Sequence, residues 1–243
     1  MPVPHHPRLA FLAPVVMALV ALGCVSGPPE PAAQNAPEPT ATSTTPAGED
    51  PDGTDTPDEF KADIGDAQRV AEAYWKAEFD ASDLDFQPVA RLIAYEREGD
   101  VECGGQALGL NNAAYCSAGD FIAYDVNWAF GAFREIGDAF IFYLLGHEYA
   151  HAIQLRLNIQ KEFTIEQELQ ADCMAGAYIG DTERKGTLKL DDGDLDELAA
   201  GLEAVGDEPG QPWFAEGAHG SAKQRTKAFN NGYKRSLKPC GLS

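Results

Sequence analysis

Hydrophobic positions along the chain change period several times, and each change marks an element. Ala139 to Leu145 (AFIFYLL) is apolar at every position, and Ile153 and Leu155 continue the pattern. A helix apolar nearly all round belongs in a core, and this run is far too short to span a bilayer. Val70, Tyr74, Trp75 and Phe79 recur at helical spacing and predict a first helix over 66–79. Residues 89–95 carry β-branched and aromatic side chains behind a proline and read as a strand. Residues 113–116 and 121–125 read as short strands around a Ser-Ala-Gly-Asp turn. Further helices are expected near 137–157, 162–180, 193–204 and 221–234, with Gly180 and Gly186 as stops. The expected class is α+β, mainly helical with a small β-sheet.

The first sixty residues do not share this periodicity. Arg8, the apolar stretch Leu9–Gly23 and the sequence Val20-Ala21-Leu22-Gly23-Cys24 predict a lipoprotein-type signal peptide over 1–24. Cys24 would then be the mature first residue, lipidated and anchored at the outer face of the cytoplasmic membrane. Cleavage with secretion is the runner-up; an uncleaved anchor fits less well, because the apolar stretch is short. Residues 25–60, rich in Pro, Ala, Thr and acidic side chains, cannot bury enough surface to offset their ordering entropy and predict a disordered tether. Residues 61–243 suit one domain, and no internal repeat is visible. The formal charge of -21 argues against nucleic acid or anionic lipid as a partner. The acidic run Asp191-Asp192-Gly193-Asp194 reads as a solvated helix start in preference to a calcium loop.

The chemistry is concentrated in His147-Glu148-Tyr149-Ala150-His151. Residues four apart share a helix face, so both imidazoles can point at one metal ion, and zinc accepts neutral imidazole nitrogen. Glu148 lies beside that face, placed to take a proton from attacking water. A buried helix with two merely hydrogen-bonded histidines is the bland alternative; burying two His and a Glu with no cation is unfavourable.

A catalytic zinc takes three protein ligands and leaves one position open. Glu168 and Asp172, four apart, suit a ligand carboxylate and a second carboxylate accepting the outer N–H of a ligand histidine. Glu166 is a rival for the ligand role but lacks an Asp four residues on. Ala171, Met174, Ala175, Gly176 and Ala177 form a small surface suited to close helix packing. His219, in the loop Gly217–Ser221, is read first as an oxyanion stabiliser, next as a capping residue without chemistry, last as a third ligand. Arg225 and Tyr124 are further candidates for contact with oxyanion or substrate.

Several ordered segments together resemble the predicted neutral zinc metallopeptidases of bacteria, within the zincins. They are 114–116 with 121–125, His147 to His151 with Gln154, Glu168 to Gly176, Asp194 to Glu197, and His219 to Ser221 with Gln224 and Arg225. Cys103, Gly104 and Cys240 fit as well, so the likeness runs from about residue 62 to the C-terminus. The resemblance implies a zincin-like fold, His147, His151 and Glu168 as ligands of one Zn2+ ion, and Glu148 as general base. In zincins an edge strand beside the active-site helix can pair with extended peptide, and Phe121 to Tyr124 is the candidate here. The aromatic segment Asn127 to Phe133 departs from the pattern and bears on the cleft shape.

Cys103, Cys116, Cys173 and Cys240 remain beside Cys24, and an even count outside the cytoplasm favours disulfides with three possible pairings. Cys103 with Cys116 comes first, because they flank a short Gly/Asn-rich excursion; Cys173 with Cys240 follows. The expected function is an extracytoplasmic zinc peptidase, an endopeptidase, acting on a protein or peptide substrate. The alternatives are a zinc-stabilised surface lipoprotein that binds a partner without catalysis, and a peptidoglycan amidase using the same site.

Overall fold

The computed structural model describes residues 56–208, 210, 212 and 217–242. The signal peptide read over 1–24, Cys24 included, and the tether as far as residue 55 lie outside the described residues.

The first described helix begins ahead of residue 61. Helix α1 (Pro57–Ala81) opens with a capping box: the Glu59 N–H donates to the Thr56 hydroxyl at 3.2 Å, and the Thr56 N–H donates to the Glu59 carboxylate at 2.8 Å. Pro57 at the first position has no N–H to leave unsatisfied. Phe60, one turn in, is already buried, along with Ile64, Val70, Tyr74, Trp75 and Phe79. The helix expected over 66–79 is therefore the second half of a longer one, whose first turns carried too little apolar signal.

Five short strands follow: β1 (Arg91–Tyr95), β2 (Glu102–Cys103), β3 (Gln106–Ala107), β4 (Ala113–Cys116) and β5 (Phe121–Asp125). β2 and β3 pair as a small hairpin, and the remaining three form a sheet in the order β1-β5-β4. β1 runs parallel to β5, and β4 runs antiparallel to it. This corrects the expectation that Phe121 to Tyr124 is an edge. β5 is buried at all five positions and paired on both sides, which fits its continuous apolar character. β1 and β4 are the edges, and β4, paired only with β5, is the one that packs against α3.

The aromatic segment at 127–133 is helical, within α2 (Val126–Ile136), where the Asp125 carboxylate accepts the N–H groups of Asn127 and Trp128. Then come α3 (Asp138–Arg156), α4 (Thr164–Arg184), α5 (Asp194–Ala204), α6 (Ala222–Arg235) and a 3-10 turn at Lys238–Cys240. α3 is the central helix, buried from Ala139 to Ala150 and packed on α1, α2, α4, α5 and β4. Among the described residues no helix is long and apolar enough to cross a membrane.

α4 and α6 pack backbone to backbone. A Cβ on Gly176 would lie 2.1 Å from the Phe229 carbonyl oxygen, and one on Gly232 would lie 1.8 Å from that of Cys173. Only glycine allows this approach, and it sets the middle and second half of α6 against the middle of α4. Gly180 does not stop α4 as expected. It lies inside the helix, where a Cβ would meet the Tyr233 carbonyl, so its absent side chain serves packing instead of termination. Both disulfides have the pairing read from the sequence, Cys103–Cys116 and Cys173–Cys240, the second joining α4 to the C-terminal turn.

Candidate metal centre and cleft

Helix α3 places His147 and His151 one turn apart on one face, and α4 brings Glu168 up to them. His147 Nε2 lies 3.1 Å from His151 Nε2 and 3.1 Å from Glu168 Oε2. His151 Nε2 lies 3.4 Å from Glu168 Oε1. Ligands of a tetrahedral zinc, each at about 2.0–2.1 Å, are separated by about 3.4 Å, so this spacing fits the ion without rearrangement. His147, His151 and Glu168 each offer an atom within 4.8 Å of the others, a set that excludes His219; Glu166 is exposed on the outer side of α4.

Tautomers make the fit chemical as well as geometric. Asp172 Oδ1 lies 2.9 Å from His147 Nδ1, so that nitrogen donates and Nε2 turns its lone pair inward. Gln154 Oε1 lies 2.8 Å from His151 Nδ1, with the same consequence. Two nitrogen lone pairs and a carboxylate thus converge on one point. A single proton can satisfy one of these contacts; a divalent cation satisfies all three.

The support behind His147 is a buried charged network. Asp172 is fully buried, and it accepts from Tyr143 Oη at 2.7 Å and from Arg225 Nε and Nη2 at 3.0 Å each. Arg225 Nη2 also donates to Tyr143 Oη at 2.9 Å, and Nη1 donates to the Val205 carbonyl at 2.7 Å. Burial alone would push the Asp172 carboxyl up, but the His147 ring and the Arg225 guanidinium hold it down, to about 2. Burial favours a neutral His147 ring, yet Asp172 and Glu168 outweigh it and lift the ring to about 10. The ring is built to carry positive charge at Nε2, as a proton or as a metal ion.

Glu148 lines the same cleft as the two histidines and reaches toward the sheet edge, where its Oε2 accepts the Tyr115 backbone N–H at 2.7 Å. Burial pushes its carboxyl up, against the opposing pull of both imidazoles. That is the direction a group cycling between base and acid needs near neutral pH. Glu168 goes the other way: burial would raise it, but contacts with His147, His151 and His219 hold it well below the usual carboxylate range.

His219 Nδ1 lies 3.1 Å from Glu168 Oε2, bracing the carboxylate, and its side chain is half exposed to the cleft. Asp207 fixes this loop, accepting from the His219 and Gly220 N–H groups at 3.2 and 2.6 Å and donating its own N–H to the Gly220 carbonyl. Of the other two oxyanion candidates, only Arg225 reaches the cleft. Tyr124 is buried in the core against Phe60, its ring facing away from the cleft-lining residues. Arg225 lines the cleft floor but spends Nε and Nη2 on Asp172.

Tyr143, Asp207 and Gln170 were not singled out from the sequence. Tyr143 carried a usable signal, four residues before His147 on the same helix face. Asp207 and Gln170 carried none, since their partners are set by chain segments that meet only in the fold. The centre lies in a cleft of about 840 Å³, walled by Ala113 to Tyr115 of β4 on one side and by Val205 and His219 on the other. Trp128, Leu144, Leu155 and Ile159 add apolar surface to it.

The sequence profile of the family described as "Putative neutral zinc metallopeptidase" matches residues 16–240. The chain belongs to this family. Its relatives include the protein named "Uncharacterized protein YpfJ" in Escherichia coli K12, and the protein of the same name in E. coli O6:H1 strain CFT073. Each is 26% identical over 189 residues, covering 68% of this chain and 64% of the relative. The match thus spans less than two thirds of those relatives' own length. No solved structure matches the chain. Family membership makes zinc the cation expected between His147, His151 and Glu168, and the donor set fits it.

Proposed function

We propose that the protein is an extracytoplasmic zinc endopeptidase, tethered to the outer face of the membrane through lipid on Cys24. The observation that carries the catalytic half is the convergence of two imidazole lone pairs and one carboxylate beside an unligated glutamate. His147, His151 and Glu168 would hold the ion, which would supply Lewis acidity toward water and a scissile carbonyl. Glu148 takes the proton of the attacking water and returns it to the leaving amine. Asp172 and Gln154 keep the two rings aimed, and Arg225 with Tyr143 keeps Asp172 ionised and oriented. His219 braces Glu168 through Nδ1 and can present Nε2 to the oxyanion.

A peptide substrate is favoured by the open edge of β4, which runs along the cleft and can pair with an extended backbone. The apolar walls favour uncharged side chains around the scissile bond. Export is supported by the N-terminal pattern ending in Cys24 and by the two disulfides, which suit an oxidising compartment.

The test combines metal analysis with cleavage of an unstructured protein. Wild type should bind one zinc per chain and cleave; Glu148→Gln should keep zinc and lose turnover by at least about a hundredfold. Full activity of Glu148→Gln removes this residue from the mechanism. Stoichiometric zinc with no cleavage would favour a binding lipoprotein, and cleavage of cell-wall amide bonds in place of protein would favour an amidase. Labelling with radioactive palmitate, abolished by Cys24→Ala, tests the anchor.

A further inference from the structure

The hydrogen bonds that fix the second imidazole run out of the site to the C-terminal turn. We infer that Gln154 is a positioning residue, holding His151 in the tautomer whose Nε2 lone pair faces the metal, and that the disulfide-held Cys240 carbonyl is its outer support. The inference rests on the site being a metal centre and concerns how the chain prepares it.

A side-chain amide can present oxygen or NH2, and only its surroundings decide which. Gln154 Nε2 lies 2.8 Å from the Gln167 backbone carbonyl oxygen and 3.1 Å from Gln170 Oε1. Gln170 Nε2 lies 2.8 Å from the Cys240 backbone carbonyl oxygen. Backbone carbonyls only accept, so the two of them orient both amides. Gln154 must therefore turn its oxygen to His151 Nδ1, which must carry the hydrogen. Turned over, Gln154 would offer NH2 to that nitrogen and drive the ring proton to Nε2, where it would compete with the metal.

Burial gives this orientation its strength. Gln154 is 1% exposed and Gln170 is 9% exposed, so water poorly replaces a bond broken by a flip. The last acceptor is itself pinned: Cys240 is bonded to Cys173 on α4, the helix that also carries Glu168, Gln170 and Asp172. One rigid helix thus supplies a ligand, the His147 support, and the attachment point for the His151 support.

The experiment uses the whole chain. Zinc affinity is measured by competition with a chromogenic chelator, with circular dichroism confirming the fold. Gln154→Met, which keeps volume and removes the acceptor, should weaken zinc binding by about 10–100-fold. Gln170→Met, one step further out, should weaken it by less. Two-bond 1H–15N couplings of zinc-free wild type at mildly alkaline pH should show His151 protonated on Nδ1, a measurement that needs no variant to fold. His151 protonated on Nε2, or an unchanged zinc affinity in folded Gln154→Met, overturns the inference. Loss at Gln154 with none at Gln170 overturns the share assigned to the C-terminal turn. A wild type that takes no zinc overturns the metal reading instead, and the couplings then still decide the role of Gln154.

Discussion

The two histidines of the HExxH run are chemically alike and one turn apart, yet they are held by opposite means. His147 leans on an ionised carboxylate clamped by a buried guanidinium and a phenol, while His151 leans on a chain of neutral amides ending in a backbone carbonyl. The burial differs in step: the His147 side chain is 6% exposed and that of His151 is 19% exposed. A deeply buried ring destined to carry positive character is stabilised by an anion behind it, and the anion in turn needs Arg225. Nearer the cleft, solvent screens charge, and a neutral acceptor is enough to set the tautomer. The lesson is that the motif supplies ligands, but the depth of each ligand decides what must stand behind it.

The contrast can be broken most severely on the charged side. Arg225→Leu leaves Asp172 buried without its cation and should lower unfolding free energy by about 3–5 kcal/mol, read from urea denaturation. A loss below about 1 kcal/mol would mean that the guanidinium does not stabilise the buried anion. The neutral side has its own large lever in the disulfide. Removing Cys173–Cys240, which spans 67 residues, should lower stability by about 4 kcal/mol in the chain-entropy account; removing Cys103–Cys116, which spans 13, should lower it by about 3. The reverse order in thermal melts would show that native contacts, not loop length, dominate.

Asp172→Asn sharpens the comparison at the metal. An amide behind His147 should weaken zinc by about 10–100-fold, as Gln154→Met should behind His151, but the Asp172 change should destabilise the zinc-free fold more, because it strands a buried guanidinium where the other strands only neutral acceptors. Equal stability effects at the two positions would erase the distinction between charged and neutral support. The smallest effect belongs to Tyr143→Phe, which removes one donor of several to Asp172 and should lower stability by about 1 kcal/mol with little change in zinc affinity.

Much of the centre was legible because its ligands obey helix arithmetic. His147 and His151 four apart, and Glu168 and Asp172 four apart, share faces wherever the helices lie, and the small residues of 171–177 foretold the close packing of α4. Arg225 illustrates the limit. It was recognisable as a candidate for the site, but its attachment to Asp172, across more than fifty residues, depends on Gly176 and Gly232 letting two backbones meet. Tyr124 failed for a related reason: strand alternation says that neighbours face opposite ways, but not which face is the cleft. The same gap misplaced the sheet edge. β5 reads as a strand from its own residues, whereas its central place needs β1 to pair on its far side.

By itself, then, the chain's sequence determined what local geometry can carry: which helices form, which side chains share a face, which cysteines flank a loop, and that two imidazoles and a carboxylate are available for one cation. The tertiary structure alone decided which strand borders the cleft, which cation neutralises Asp172, and which carbonyls orient Gln154. Those outcomes depend on groups far apart in the chain meeting at hydrogen-bond distance, and periodicity along a single segment carries no information about such meetings.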